Sequence, residues 1–155
     1  MEKEELIHLS VDVNLPYRWA AGRYGSMMLK ALRDEKKILG NRCPACNKVY
    51  VPPRVVCGPC FTAPDEVVEL STGGILAGYS VVNYPFIDPE TGQKRPVPYT
   101  YAYIKLDGCD SYLSHLVDET DPKRLSPGVR VEAVFRPEGE RVGKLQDILH
   151  FRIVD

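Results

Sequence analysis

From Tyr24 the apolar residues recur at four-residue steps, Tyr24, Met28 and Leu32, with Met27 and Ala31 beside them. This spacing predicts one apolar face on an amphipathic helix within Tyr17–Lys37. Gly22 and Gly25 weaken its start, Lys36 and Lys37 suit the negative end of the helix dipole, and Gly40 lies where a helix ends. Such a stripe needs a surface, either a later part of this chain or another subunit. Tyr24, Met27, Met28 and Leu32 are therefore candidate partner-interface residues, and 1–37 reads as an N-terminal helical docking segment.

The period then shortens. Val49-Tyr50-Val51 is a short strand that Pro52-Pro53 ends, and Thr62–Glu66, with Pro64, is a linker between modules. Beyond it, strands are expected at Val67–Leu70, Ile75–Val82, Tyr99–Leu106 and Ser111–Val117, with Asp107-Gly108 as a hairpin turn. Val129, Val131, Ala133 and Phe135 alternate with Arg130, Glu132 and Arg136, and Leu149, Phe151 and Ile153 alternate with His150 and Arg152. The loop Asn83–Pro98 carries four prolines and the pair Lys94-Arg95. About five strands in about 85 residues fit a small barrel of the oligonucleotide/oligosaccharide-binding (OB) type better than a sandwich of about seven or more. The fold class is mainly β: an N-terminal helical segment, a metal module over 38–62, and a five-stranded OB barrel over 67–155.

Composition narrows the setting. A chain of 155 residues, 44% apolar and 26% charged, has a normal globular balance, and 13 prolines with 12 glycines favour short strands and turns. The net charge of −1 divides into ten basic against six acidic residues up to Thr62 and ten against fifteen beyond. That field is too weak for phosphate neutralisation, so nucleic acid is not the expected partner. Met1–Leu6 is acidic, unlike a signal peptide, and no apolar run approaches a membrane span, so a cytoplasmic protein with no membrane contact is expected.

The chemistry is concentrated in Cys43-Pro44-Ala45-Cys46 and Cys57-Gly58-Pro59-Cys60, ten residues apart. A two-residue gap aims both sulfurs of a knuckle at one centre, and two knuckles complete a tetrahedral S4 shell. Such a shell is closed to water and substrate, so one structural Zn2+ per chain is expected, with iron as the chemical rival. Lys48 and Arg54 would offset the surplus negative charge. Cys109 has no partner or base at local spacing, and His8, His115 and His150 form no recognisable His-Cys or His-Asp pair. No catalytic residue is assigned. Tyr101 and Tyr103 share one phase of a strand opposite Ala102, Ile104 and Leu106, so they face a partner or a ligand. Lys94 and Arg95 are candidates for a phosphate or an acidic partner.

The order of these features is specific. Leu39-Gly40-Asn41-Arg42 precedes the first cysteine pair, Val51-Pro52-Pro53-Arg54 lies between the pairs, and a β domain with Pro98-Tyr99 and Leu106-Asp107-Gly108 follows. The chain resembles, over nearly its whole length, acyl-CoA-associated proteins with a rubredoxin-like zinc ribbon and an OB-fold domain. The resemblance implies a non-catalytic accessory subunit of a thiolase-like enzyme, aiding assembly or substrate access in a hetro-oligomer. The CoA thioester is then substrate of the complex, and the nucleophile belongs to the thiolase-fold partner. Anaerobic degradation of aromatic compounds is one setting it offers. An OB-fold nucleic-acid-binding protein, a subunit of an acyl-CoA hydratase, or an independent acyl-CoA enzyme are the alternatives.

Overall fold

The computed structural model describes residues 7–10, 19–88 and 92–154. The acidic opening and Asp12–Pro16 lie outside the described residues, as does the start of the expected helical region. The helix itself, α1, spans Gly22–Glu35. Lys36 ends it in the left-handed conformation, at φ 57°, and the Lys37 amide donates to the Ala31 carbonyl at 3.2 Å. Gly40 is not the helix stop. It lies in strand β1 (Ile38–Arg42), where a Cβ would stand 2.5 Å from the Tyr50 carbonyl oxygen of β2 (Val49–Tyr50). Only glycine admits that approach of the two strands.

Strand β3 (Glu66–Leu70), expected as the first strand of the second module, hydrogen-bonds to β1 in antiparallel register from Ile38↔Leu70 to Arg42↔Glu66. The three strands form one sheet in the order β2-β1-β3. The remaining strands are β4 (Gly73–Val82), β5 (Tyr99–Leu106), β6 (Leu113–Val117), β7 (Arg130–Phe135) and β8 (Ile148–Ile153). They close a barrel in the order β4-β5-β6-β8-β7, with β6 and β8 parallel and β4 returning to β7. This is the five-stranded OB arrangement. A bulge between Leu76 and Gly78 bends β4, and Gly74 lies so close to Lys105 of β5 that no side chain fits there.

Alternation along β5 puts Thr100, Ala102, Ile104 and Leu106 inside and Tyr101, Tyr103 and Lys105 outside. Leu76, Ile104, Leu113, Val131, Ile148 and Phe151 fill the barrel, and the same continuous core takes in Met28, Leu32, Ile38, Val49 and Val51. The helix therefore folds back on its own chain, against β1 and the short 3-10 turn Leu145–Asp147. Arg141 Nη1 also donates to the Leu32 carbonyl at 3.3 Å, and Lys36 lies 5.5 Å from the centre of the Phe135 ring. This corrects the reading of Met28 and Leu32 as partner-facing: both are buried, because β1 and the end of the barrel already supply the surface that the apolar stripe needs. Tyr24 and Met27 are half-buried. Among the described residues no helix is long and apolar enough to cross a membrane.

The Asp107-Gly108 turn does not join β5 and β6 as a tight hairpin. Leu113 pairs with Ile104, leaving residues 105–112 as an extension that reaches the ribbon. There the Asp110 amide donates to the Val49 carbonyl at 2.9 Å, and Asp110 Oδ2 accepts from the Val49 amide at 2.9 Å. The extension lies along β2 and joins ribbon to barrel.

Candidate metal centre and aromatic cleft

Two knuckles of the same shape carry the cysteines. In the first, the Asn47 amide donates to the Cys43 carbonyl at 2.8 Å and the Cys43 amide to Lys48 at 2.9 Å. In the second, the Phe61 amide donates to the Cys57 carbonyl and the Cys57 amide to Thr62, both at 2.9 Å. The residue after each second cysteine, Asn47 at φ 60° and Phe61 at φ 58°, is left-handed. Asparagine adopts this conformation readily, whereas a bulky side chain does so at a cost. Phe61 is moreover 82% exposed.

The knuckles bring Cys43, Cys46, Cys57 and Cys60 together, with all four sulfurs within 4.8 Å of one another. Cys43 and Cys60 are 3.4 Å apart, Cys46 and Cys57 3.4 Å, and Cys46 and Cys60 3.8 Å. A tetrahedral ion with metal–sulfur bonds of roughly 2.3 Å separates its ligands by roughly 3.8 Å, so the cluster fits such an ion closely. The donor set, four soft sulfurs with no open position, is that of a structural site. The sulfurs would not ionise together unaided. The Lys48 amide favours the Cys46 thiolate, yet burial and three neighbouring sulfurs outweigh it and push that thiol up to about 12. The Thr62 amide and hydroxyl, ahead of the other sulfurs, bring Cys60 down to about 6. A bound cation would supply the positive charge that holds all four as thiolates.

Asn41 braces this centre from β1. It is fully buried, and its Nδ2 donates to the Arg54 and Pro64 carbonyls at 2.7 and 2.5 Å while its Oδ1 accepts from the Arg54 amide at 3.0 Å. The Pro-Pro-Arg segment is held there, which brings the Arg54 guanidinium over the Tyr50 ring at 4.9 Å. Tyr50 in turn reaches Cys57 Sγ at 3.1 Å. Sequence reasoning noted Arg54 for its charge but missed Asn41 and Tyr50. No local signal marks them, because each stands out of phase with the core residues of its segment, Asn41 with Ile38 and Tyr50 with Val49 and Val51.

On the barrel, the outer face of β4, β5 and β6 floors a cleft of about 810 Å3 beside the 83–98 loop. Tyr101 and Tyr103 line it and are 48% and 59% exposed. Arg95 also lines it, paired with Asp88 at 2.6 Å and lying 5.4 Å from the Tyr99 ring centre. Lys94 is exposed and does not line the cleft, although its backbone bridges to Ile87, which does. The structure thus separates the two basic residues. Arg95 already has a carboxylate in Asp88, while Lys94 stays exposed to solvent.

His115 lies at the cleft's inner edge, 5% exposed, with Nε2 3.3 Å from the Leu145 carbonyl and its ring edge against Phe151 at 5.8 Å. Burial holds its pKa below the usual histidine value. His150 pairs with Asp118 at 3.6 Å, and His8 is exposed. Cys109 is buried, with Sγ 3.4 Å from the Val49 carbonyl it donates to. That packing is the environment of a structural cysteine, not of a reactive one.

A tetrathiolate ribbon packed on an OB barrel defines a two-module class of protein. The profile described as "ChsH2, rubredoxin-like zinc ribbon domain" matches residues 31–65, and "ChsH2, C-terminal OB-fold domain" matches residues 67–136. The chain belongs to the DUF35 family that these two domains make up. A DUF35 domain-containing scaffold protein of Methanocaldococcus jannaschii is 33% identical over 114 residues, 71% of this chain and 77% of that protein. One of the same description from Methanothermobacter thermautotrophicus is 32% identical over 108 residues, 66% of this chain and 77% of the relative. Among solved structures, a chain of the Ltp2-ChsH2(DUF35) aldolase superposes with TM-score 0.62 at 22% identity, covering 88% of this chain and 98% of that one. A Sulfolobus solfataricus DUF35 protein of unknown function superposes with TM-score 0.59 at 20% identity, over 85% and 84%. At these identities the two structures show the fold of this chain and not its activity.

Proposed function

We propose that this chain is a non-catalytic, zinc-carrying accessory subunit of a thiolase-type acyl-CoA enzyme, acting in the cytoplasm as a scaffold in a hetero-oligomer. The observation that carries this reading is the identity of about one residue in three with proteins described as scaffolds, across most of both chains. An aldolase that contains a DUF35 chain of the same fold supports an enzyme as the partner. The exposed tyrosines support a protein or ligand contact on β5, since tyrosine gives large contact area at low entropic cost.

In this reading Cys43, Cys46, Cys57 and Cys60 hold one structural Zn2+, and the ribbon, whose sheet β3 completes, and the barrel that begins at Gly73 are its working modules. Reduced thiols persist in the cytoplasm, which favours metal binding over disulfides. The nucleophile and acid–base groups that act on the CoA thioester belong to the partner. Anaerobic breakdown of aromatic compounds is one setting that the resemblance offers. The test is native mass spectrometry of the complex recovered gently from source cells. A near-stoichiometric thiolase-fold partner, with acyl-CoA turnover only in the complex, is the expected result, and the acyl-CoA consumed identifies the setting. Recovery of the chain alone, under conditions that preserve known complexes, sinks the reading; a hydratase partner redirects it.

A further inference from the structure

The four sulfurs have a polar neighbour that is not a cysteine. Tyr50, on β2, is 5% exposed and belongs to the same buried cluster as Cys43 and Cys57. Its hydroxyl lies 3.1 Å from Cys57 Sγ. A thiolate bound to a metal carries no proton, so in a loaded site the tyrosine donates and the sulfur accepts. The ring is fixed on both sides: β2 pairs Tyr50 with Asn41, and the segment that Asn41 pins carries Arg54 over the ring at 4.9 Å. A buried tyrosine hydroxyl needs a partner, and this one has been given a ligand sulfur.

We propose that Tyr50 is a positioning residue of the metal centre, whose hydroxyl holds the Cys57 thiolate in place and slows release of the ion. The proposal rests on the metal reading above. Four thiolates around a divalent ion leave two negative charges in a small buried volume, and a donor aimed at one sulfur spreads part of that charge. It also fixes the Cys57 side chain in the orientation that binding requires, so less conformational freedom is lost on loading. Outer-shell donors of this kind typically alter metal affinity by roughly 10- to 100-fold. A phenylalanine would fill the same space and leave the thiolate without its donor.

Cobalt(II) loaded into the full-length chain reports on the sulfurs directly. A hydrogen bond lowers the energy of the sulfur lone pair, so its loss moves the sulfur-to-cobalt charge-transfer band to longer wavelength. In Tyr50→Phe we expect that shift, together with zinc retention against a chelator weakened by roughly tenfold or more. Incorporation of 3-fluorotyrosine at position 50, a stronger donor of nearly the same size, is expected to move the band to shorter wavelength. It carries the test if Tyr50→Phe does not fold. An unmoved band with unchanged retention in a folded Tyr50→Phe, or an unmoved band with fluorotyrosine, overturns the role of Tyr50. An unaltered chain that takes up neither zinc nor cobalt overturns the metal reading itself.

Discussion

Ser111 closes a reciprocal pair of hydrogen bonds with Val51: its Oγ accepts from the Val51 amide at 2.7 Å and donates to the Val51 carbonyl at 2.8 Å. One hydroxyl thus satisfies both backbone groups of a fully buried residue that belongs to neither the ribbon ladder nor the barrel ladder. Asp110 does the same for Val49 two residues earlier, through its amide and carboxylate. The ribbon is consequently joined to the barrel by strand-like pairing and not by the chain connection alone.

Replacing Ser111 by alanine leaves the Val51 amide and carbonyl unpaired in the core. Leaving buried polar groups unsatisfied costs about 1–3 kcal/mol. Ser111→Ala should lower the urea midpoint accordingly while the metal content stays near one per chain. A midpoint equal to that of the unaltered protein would show that the pairing contributes nothing.

Cys43→Ser acts on the other side of β2. Cys43 is fully buried at the first knuckle, and an oxygen there is a poorer ligand for a soft S4 site. Metal content should fall below one per chain, and the ribbon should become sensitive to protease while the barrel persists, since structural zinc contributes directly to folding. Elemental analysis with limited proteolysis checks both, and a fully loaded, protease-resistant variant would contradict the expectation.

The two cysteine pairs and the OB barrel were legible because each is written locally. A knuckle needs two cysteines with two residues between them, and β5 alternates without a break from Tyr99 to Leu106. What was misread depends on contacts distant in sequence. The helix stripe of Met28 and Leu32 declares that it will be buried but not against what, and β3 carries no mark that sends it to β1 instead of to the barrel. Asp107-Gly108 has the composition of a tight hairpin, yet Cys109 and Asp110 bond across 60 or more positions to Val49 of β2 and Ser111 to Val51 just after it, which outweighs the local preference. The same separation hides Tyr50 and Asn41: polar residues in short strands acquire their roles only when the knuckles close around them.

His115 makes stability depend on pH. Burial is the largest cause of its lowered pKa, so the folded protein binds this proton less readily than the unfolded chain, whose histidine titrates near 6.5. The contribution is complete above that value and is lost as pH falls through 6.5 toward the depressed folded value. Urea midpoints at pH 7.5 and 5.5 should therefore differ less in His115→Gln than in the unaltered protein. Metal loss on acidification affects both proteins and cancels in the comparison. An identical pH dependence would mean that the folded protein accommodates the charged ring.

Tyr101 and Tyr103 separate surface from core more sharply than any other pair of candidates. Their backbone holds β5 between β4 and β6, while their rings lie on the solvent side, and Tyr103 touches Tyr112 edge-on at 6.2 Å. Serine at both positions should change stability by only about 0.5 kcal/mol for each exposed site. Met28→Ala, by contrast, empties a core position and should cost about 2–5 kcal/mol. If the tyrosine face seats the proposed partner, the doubly substituted chain should fold normally yet recover tenfold less of that partner, since buried interface tyrosines often carry about 2 kcal/mol or more. Met28→Ala should reduce recovery only to the extent that it unfolds the chain. Full recovery with Tyr101→Ser/Tyr103→Ser, in a protein whose melting curve is unchanged, would move the interface off the barrel. The next surface to substitute would then be the ribbon tip, where Phe61 holds an exposed aromatic ring on a left-handed backbone.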